Sequence, residues 1–197
     1  MEIESDIVII GGGTGGVAAA IAACEHGARV VMTEATDWVG GQFTSQGVPA
    51  DENQWVETVG ASRRYQGFRT AIREWYRAKR PLLTKHAEDP RLNPGGGWVS
   101  RLCVEPRIAH TVLESLLRSH VESGRLRVLL HHQATGVEMN GDRVRAVRVR
   151  DVRTSETSVL TGKHVLDATE TTAVDDAWNR VVKGDVRYRF VIDLASL

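Results

Sequence analysis

Residues 6–34 constrain this chain more than any other stretch. The apolar run Asp6-Ile-Val-Ile-Ile10 meets Gly11-Gly-Gly-Thr-Gly-Gly16, then Val17-Ala-Ala-Ala-Ile-Ala-Ala-Cys24, Gly27, the strand-like Ala28-Arg-Val-Val-Met32 and Glu34. The pattern predicts a buried strand, a tight glycine turn, a helix, and a second strand ending in a carboxylate. Gly11 allows the turn out of the strand, and Gly13 lets the backbone approach a bound group closely. Gly16 lets the helix pack tightly on the strand. The first amides of the helix then point at that group and favour negative charge. Glu34 follows Gly16 by 18 residues, where a carboxylate accepts hydrogen bonds from ribose hydroxyls. The unit as a whole is a site for the diphosphate and ribose of an adenine dinucleotide.

At 197 residues, with 42% hydrophobic content, the chain has room for one compact domain or one domain with a small appendage. Lys+Arg and Asp+Glu number 25 each, so no basic field argues for nucleic acid or an anionic membrane. The start, Met1-Glu-Ile-Glu-Ser-Asp6, lacks the basic region of a secretory signal. Val17–Ala23 is too short to span a bilayer. The two cysteines, Cys24 and Cys103, stand far apart and outside any CxxC spacing, which fits a reduced, cytoplasmic setting. The seven histidines form no metal-binding spacing, and no metal is expected. His131 and His132 are adjacent, so on a strand they would point to opposite faces.

Beyond Glu34 comes a second glycine doublet, Gly40-Gly41-Gln42, and then an irregular stretch over residues 44–62. Phe68, Ile72, Trp75 and Tyr76 predict a helix to Arg80. Its many arginines and lysines (Arg63, Arg64, Arg69, Arg73, Arg77, Lys79, Arg80) read as a solvated face, with an anion-binding surface the alternative. Residues 81–97, rich in Pro and Gly, read as a long loop. Glu105-Pro106 suits a helix start, the acid favouring the positive end. Ile108, Val112, Leu113, Leu116 and Leu117 carry the stripe onward, and Gly124 stops it. Leu126–Leu130 is a strand. Ala134–Met139 and Val144–Arg150, joined at Asn140-Gly141, form a hairpin. A third short strand is expected near Ser158–Leu160, and a separate central strand over Lys163–Ala168. The fold class is therefore α/β, a Rossmann-like parallel sheet with an antiparallel β-meander. Nicotinamide-binding domains usually place a helical crossover where this meander lies, so the layout points to FAD, with NAD the alternative.

On these motifs, residues 5–171 resemble the N-terminal part of the FAD-dependent oxidoreductases with a glutathione-reductase-type nucleotide fold. The matching segments are Ile9-Ile-Gly-Gly-Gly-Thr-Gly-Gly16, Gly40-Gly-Gln-Phe-Thr-Ser-Gln-Gly47, Arg101-Leu-Cys-Val-Glu-Pro-Arg107 and Asp167-Ala-Thr-Glu170. The resemblance implies that Gly11, Gly13, Thr14, Gly15 and Gly16 hold the FAD diphosphate and Glu34 the AMP ribose. Gly40, Gly41 and Gln42 would lie beside the diphosphate and ribityl chain. The backbone of Ala134 would meet the adenine, and Thr169 would close the pocket. Residues 1–43 and 101–172 would form the nucleotide domain, with 44–100 an insertion on the substrate side.

Two departures accompany the match. Thr172-Ala173 stand where relatives usually carry Gly-Asp and a much longer remainder of chain, so the family fold is expected here in truncated form. Residues 175–193 instead are similar to the C-terminal helix–strand tail of zinc-dependent, cinnamyl-alcohol-type dehydrogenases, without their zinc ligands or nicotinamide-binding glycines. Residues 173–197 are thus expected to be a helix–strand tail of foreign origin. The competing expectation has Arg187–Leu194 filling the slot of a late sheet strand.

With FAD held, the resemblance implies hydride or electron-pair chemistry at the isoalloxazine with an unidentified small molecule. No residue stands out as a catalytic base. Cys103, a thiol just before a helix, reads either as a reactive group or as a structural cysteine. Glu170 reads either as facing the cofactor or as a loop carboxylate. A nucleotide-binding module without turnover, completed by a partner chain or a second copy, and an inactive fragment are the alternative functions.

Overall fold

The computed structural model describes residues 1–169 apart from 51 and 142; the helix–strand tail expected over 173–197, and Glu170, lie outside the described residues. The elements run β1 (Glu2–Ile10), α1 (Thr14–Glu25), β2 (Val30–Glu34), α2 (Arg63–Lys79), the short α3 (Thr84–Ala87), α4 (Pro106–Glu122), β3 (Leu126–Leu130), β4 (His132–Asn140), β5 (Arg143–Asp151) and β6 (Thr157–Asp167). The sheet order is β3-β2-β1-β6-β5-β4. β3, β2, β1 and β6 are mutually parallel, and the β4–β5 hairpin continues antiparallel from β6. This is the expected Rossmann-like sheet with its meander.

β1 explains why the apolar run has no alternation. Ile9 points into a large core shared with α1, α2 and α4, whereas Val8 and Ile10 point into a smaller core on the opposite face. A parallel strand covered on both faces needs apolar residues at every position. The helices supply the first cover: Val17, Ala20, Ile21 and Cys24 of α1, Phe68, Ile72 and Tyr76 of α2, and Ile108, Val112, Leu113 and Leu117 of α4. The hairpin supplies the second, with Ala134, Val147 and Val149 packing on Val8, Ile10 and Val31. α2 joins the same core as α1 and α4.

Three expectations change. The third meander strand and the separate central strand are one element, β6. Its first half pairs with β5, and it runs beside β1 from Val159 to Asp167. Gly162 lies within β6 and allows a close approach: a Cβ there would come within 3.0 Å of Val8 Cγ2. His131 and His132 do not share a strand, because His131 turns the chain between β3 and β4 with φ 60°. Leu116 is exposed, and Ala109 takes a buried place on the α4 stripe.

Candidate functional site

The carboxyl ends of β1, β2 and β6 converge on the glycine turn, the end of a parallel α/β sheet where ligands bind. The Ile10 carbonyl accepts from Ala168 N at 2.7 Å, and Gly11 N donates to Thr33 Oγ1 at 3.1 Å. Gly11 has φ +104°, and a Cβ on it would collide with the Ala168 carbonyl. A Cβ on Gly16 would fall on the Gly11 carbonyl oxygen. Both positions therefore require glycine, one for its backbone angle and one for the depth to which α1 sits against the strand.

Gly13 is the N-cap of α1. No side chain caps this end and no acid occupies its first turn. A helix start leaves its first amides without intrahelical partners, and among the described residues no side chain caps them. A Cβ built on Gly15 would meet nothing within 4 Å. Uncovered donors beside open space, at the positive end of a helix, suit a diphosphate.

The second glycine doublet is clipped directly to this turn. Gly40 N donates to the Gly12 carbonyl at 2.7 Å, and Thr14 Oγ1 donates to the Gly40 carbonyl at 2.9 Å. The Thr14 hydroxyl is thus used within the protein. Gly40 has φ +112°, and a Cβ there would strike Leu113 of α4. Gly41 begins a single 3₁₀ turn through Phe43, and Gln42 Nε2 donates to the Pro49 carbonyl at 3.3 Å. At the tip of β6, Thr169 N and Oγ1 both donate to Asp167 Oδ1, at 3.0 and 2.7 Å, and Thr169 N borders Gly11.

Glu34 is buried at the tip of β2. Its Oε1 accepts from Thr36 N and Thr36 Oγ1, both at 2.8 Å. Its Oε2 lies 2.9 Å from where a Gly12 Cβ would stand, so the carboxylate borders the glycine turn. Gly11, Gly13, Thr14, Gly15, Gly16, Glu34, Gly40, Gly41 and Thr169 therefore gather at one end of the sheet. Gln42 sits a turn further on. Ala134 packs in the smaller core with Val31, just before a register irregularity in β4.

Sequence reasoning missed Gly12, Thr33 and Thr36, which hold these parts together. It also misread the basic helix. Arg69 and Arg73 are buried, not solvated. The Arg69 guanidinium pairs with Glu52 and Glu57, and Arg73 Nη2 lies 2.6 Å from Glu57 Oε1, while Arg73 Nε donates to the Leu92 carbonyl at 2.9 Å. Tyr65 Oη donates to Glu52, and Ser100 Oγ donates to Glu52 Oε2 at 3.3 Å. Burial favours the protonated form of Glu57, but the Arg73 and Arg69 guanidiniums outweigh it and hold its carboxyl below the usual range. Burial, reinforced by the Glu52 charge, pushes the Tyr65 phenol up.

Cys103 lies apart from the glycine cluster. Its amide donates to Asn93 Oδ1 at 2.7 Å, and its side chain packs so closely under Gly95 and Gly97 that a Cβ on either would come within 2.9 and 2.8 Å of it. Glu105 is the N-cap residue of α4 but makes no capping bond; its carboxylate accepts from Arg80 at 3.0 Å instead. Among the described residues no group of three or more His, Cys, Asp or Glu could hold a metal ion, and no helix is long and apolar enough to cross a membrane.

Solved structures share this fold. Thermovibrio ammonificans THI4 is 20% identical, with a TM-score of 0.53 over 90% of this chain and 62% of that one. Mycobacterium smegmatis Sdh1, solved in complex with UQ1, is 20% identical, with a TM-score of 0.52 over 87% of this chain and 34% of that one. By sequence, the hydroxyneurosporene desaturase of Rhodobacter capsulatus is 45% identical over 62 residues, 30% of this chain and 13% of the desaturase. The chain thus spans only part of the length of the proteins it matches. The model of the FAD dependent oxidoreductase family matches residues 6–176, nearly the whole of the sheet and both glycine motifs, and the chain belongs to that family.

Proposed function

We propose that the glycine turn and its neighbours hold FAD, and that the chain serves a flavin-dependent oxidoreductase reaction on a small molecule. The observation that carries this reading is the uncovered start of α1, open beside Gly15 and bordered by the buried carboxylate of Glu34. The amides of Gly13–Gly16 would bind the diphosphate, and Glu34, held by Thr36, would accept from the AMP ribose. Gly40, Gly41 and Gln42 would line the path of the ribityl chain, Ala134 would meet the adenine through its backbone, and Thr169 would close the pocket. The Thr14–Gly40 and Gly40–Gly12 bonds orient the two glycine segments toward one ligand. Bound FAD supplies hydride or electron-pair transfer at its isoalloxazine ring.

In this reading residues 1–43 and 101–172 form the cofactor domain and residues 44–100 lie toward the substrate. Two free cysteines, one buried and one enclosed by its loop, suit the reducing cytoplasm.

The test is binding of FAD and of FMN by protein stripped of flavin. FAD should bind and FMN, which lacks the AMP half, should not be retained. Glu34→Ala should weaken FAD roughly tenfold or more, the loss of a hydrogen-bonded charge. Equal binding of both flavins, or of neither, overturns the assignment.

A further inference from the structure

His131 is held in a conformation that any side chain disfavours. It turns the chain from β3 into β4 with φ 60°, a left-handed angle that glycine adopts freely and histidine only at a cost. Its neighbours pin the turn. The His131 carbonyl accepts from Val152 N at 2.8 Å, and Leu130, just before it, pairs with Glu34 at the tip of β2. Backbone strain kept in place of glycine points to a use for the side chain. The imidazole is 11% exposed, and its Nε2 lies 3.1 Å from Asp37 Oδ1, on a side chain that is 82% exposed. An enclosed ring thus reaches out to hold a carboxylate on the surface.

Asp37 belongs to the short segment 35–39 that joins Glu34 to the second glycine doublet. Within it, Thr36 Oγ1 lies 2.8 Å from Glu34 Oε1 and 3.0 Å from the Trp38 carbonyl, and Trp38 N donates to Thr36 Oγ1 at 3.2 Å. The far end of the segment is seated on the core. Val39 is buried, and the Trp38 ring stacks on His110 of α4 with centroids 5.1 Å apart. Thr36 and Asp37, nearest the Glu34 carboxylate, are exposed. The His131–Asp37 pair closes this loose end.

We propose that His131 is a positioning residue for the ribose carboxylate. Through Asp37 it fixes segment 35–39 in the free protein, so that Thr36 already holds Glu34 in its receptive orientation when FAD arrives. The inference rests on the cofactor reading above and deepens it, adding a residue outside the glycine motifs. A segment ordered beforehand loses no further freedom on binding, so affinity rises without a new contact to the ligand. A partly exposed pair of this kind supplies a modest gain.

His131→Gly separates positioning from structural support, because glycine takes the same backbone angle without strain. In the flavin-free protein the urea midpoint should stay where it is, while the Thr36 and Trp38 amides exchange faster. FAD affinity should fall about three- to fivefold. Asp37→Ala alters an exposed side chain and should weaken FAD equally, and the double variant should lose no more than either alone. Unchanged FAD affinity in either single variant overturns the proposal, as do losses that add. A parent protein that binds no FAD at all would sink the cofactor reading separately. Amide exchange then decides the positioning role: Thr36 and Trp38 as protected in His131→Gly as in the parent contradict it, and faster exchange supports it.

Discussion

Two joints flank the candidate site, and they are made of opposite materials. At the first, the tips of β1, β2 and β6 meet α1 through main chain: Gly11 against Ala168, Gly16 against Gly11, Gly40 clipped to Gly12 and Thr14. At the second, α2 is bound to the segments around residues 52–57 and 92–100 through side-chain charge: Arg69 and Arg73 with Glu52 and Glu57, supported by Tyr65 and Ser100. The first joint tolerates no added carbon at Gly11, Gly16 or Gly40 and is made without ion pairs. The second has space for other side chains of similar volume but depends on every charge having its partner. One anchors the cofactor end by shape, the other anchors the inserted region by electrostatics, and each should fail in its own way.

The largest expected effect belongs to the second joint. Arg69→Met leaves the buried Glu52 and Glu57 short of a counter-charge, a loss of about 3–5 kcal/mol in urea unfolding. Adding Glu52→Gln alone should recover much of it, because Glu57 keeps Arg73 as its counter-charge and the unpaired Glu52 rather than the missing contact is the main cost. A loss below about 1 kcal/mol for Arg69→Met, the usual ceiling for exposed pairs, would mean that this joint is no different from a surface ion pair. Gly16→Ala comes next. Its methyl must push α1 off the strand, costing about 1–3 kcal/mol, and FAD should be lost with it. By contrast, Gly15→Ala has room in the protein and should leave stability intact while weakening FAD. If both alanines behaved alike, the separation of packing from binding within the first joint would disappear.

Thr14→Val removes a single hydrogen bond between the glycine segments and should cost about 1 kcal/mol. The smallest effect is a change of slope with pH. Glu57 is held below its ordinary carboxyl range in the folded protein, so the unfolded chain takes up a proton first as pH falls. Its contribution is complete above the unfolded value of about 4.3 and drains away as pH drops through the folded value. Glu57→Gln should flatten the acid limb of the stability curve, and Gly16→Ala should leave its slope unchanged.

The first joint was legible in the sequence because its demands are local. Glycine is required where the chain turns and where a helix approaches a strand, and those positions fall within Gly11–Gly16. Gly12 escaped because its constraint comes from Glu34, on another strand. The second joint was hidden by composition, since a helix full of arginine looks solvated. Its signal was spacing: Arg69 and Arg73 lie on the stripe of Phe68, Ile72 and Tyr76, three and four residues apart, where only paired charges are buried. The two strands expected around Gly162 are one, and Val8 of the neighbouring strand fills the space that its missing side chain leaves.

The central claim is that the uncovered start of α1 receives the diphosphate. Titrating the flavin-free protein with FAD while recording its amide resonances tests this directly. The account predicts that the amides of Gly13, Thr14, Gly15 and Gly16 shift most, together with those around Glu34, and that Gly15→Ala diminishes the response. FAD binding that leaves Gly13–Gly16 unmoved, with the largest shifts elsewhere, would contradict it.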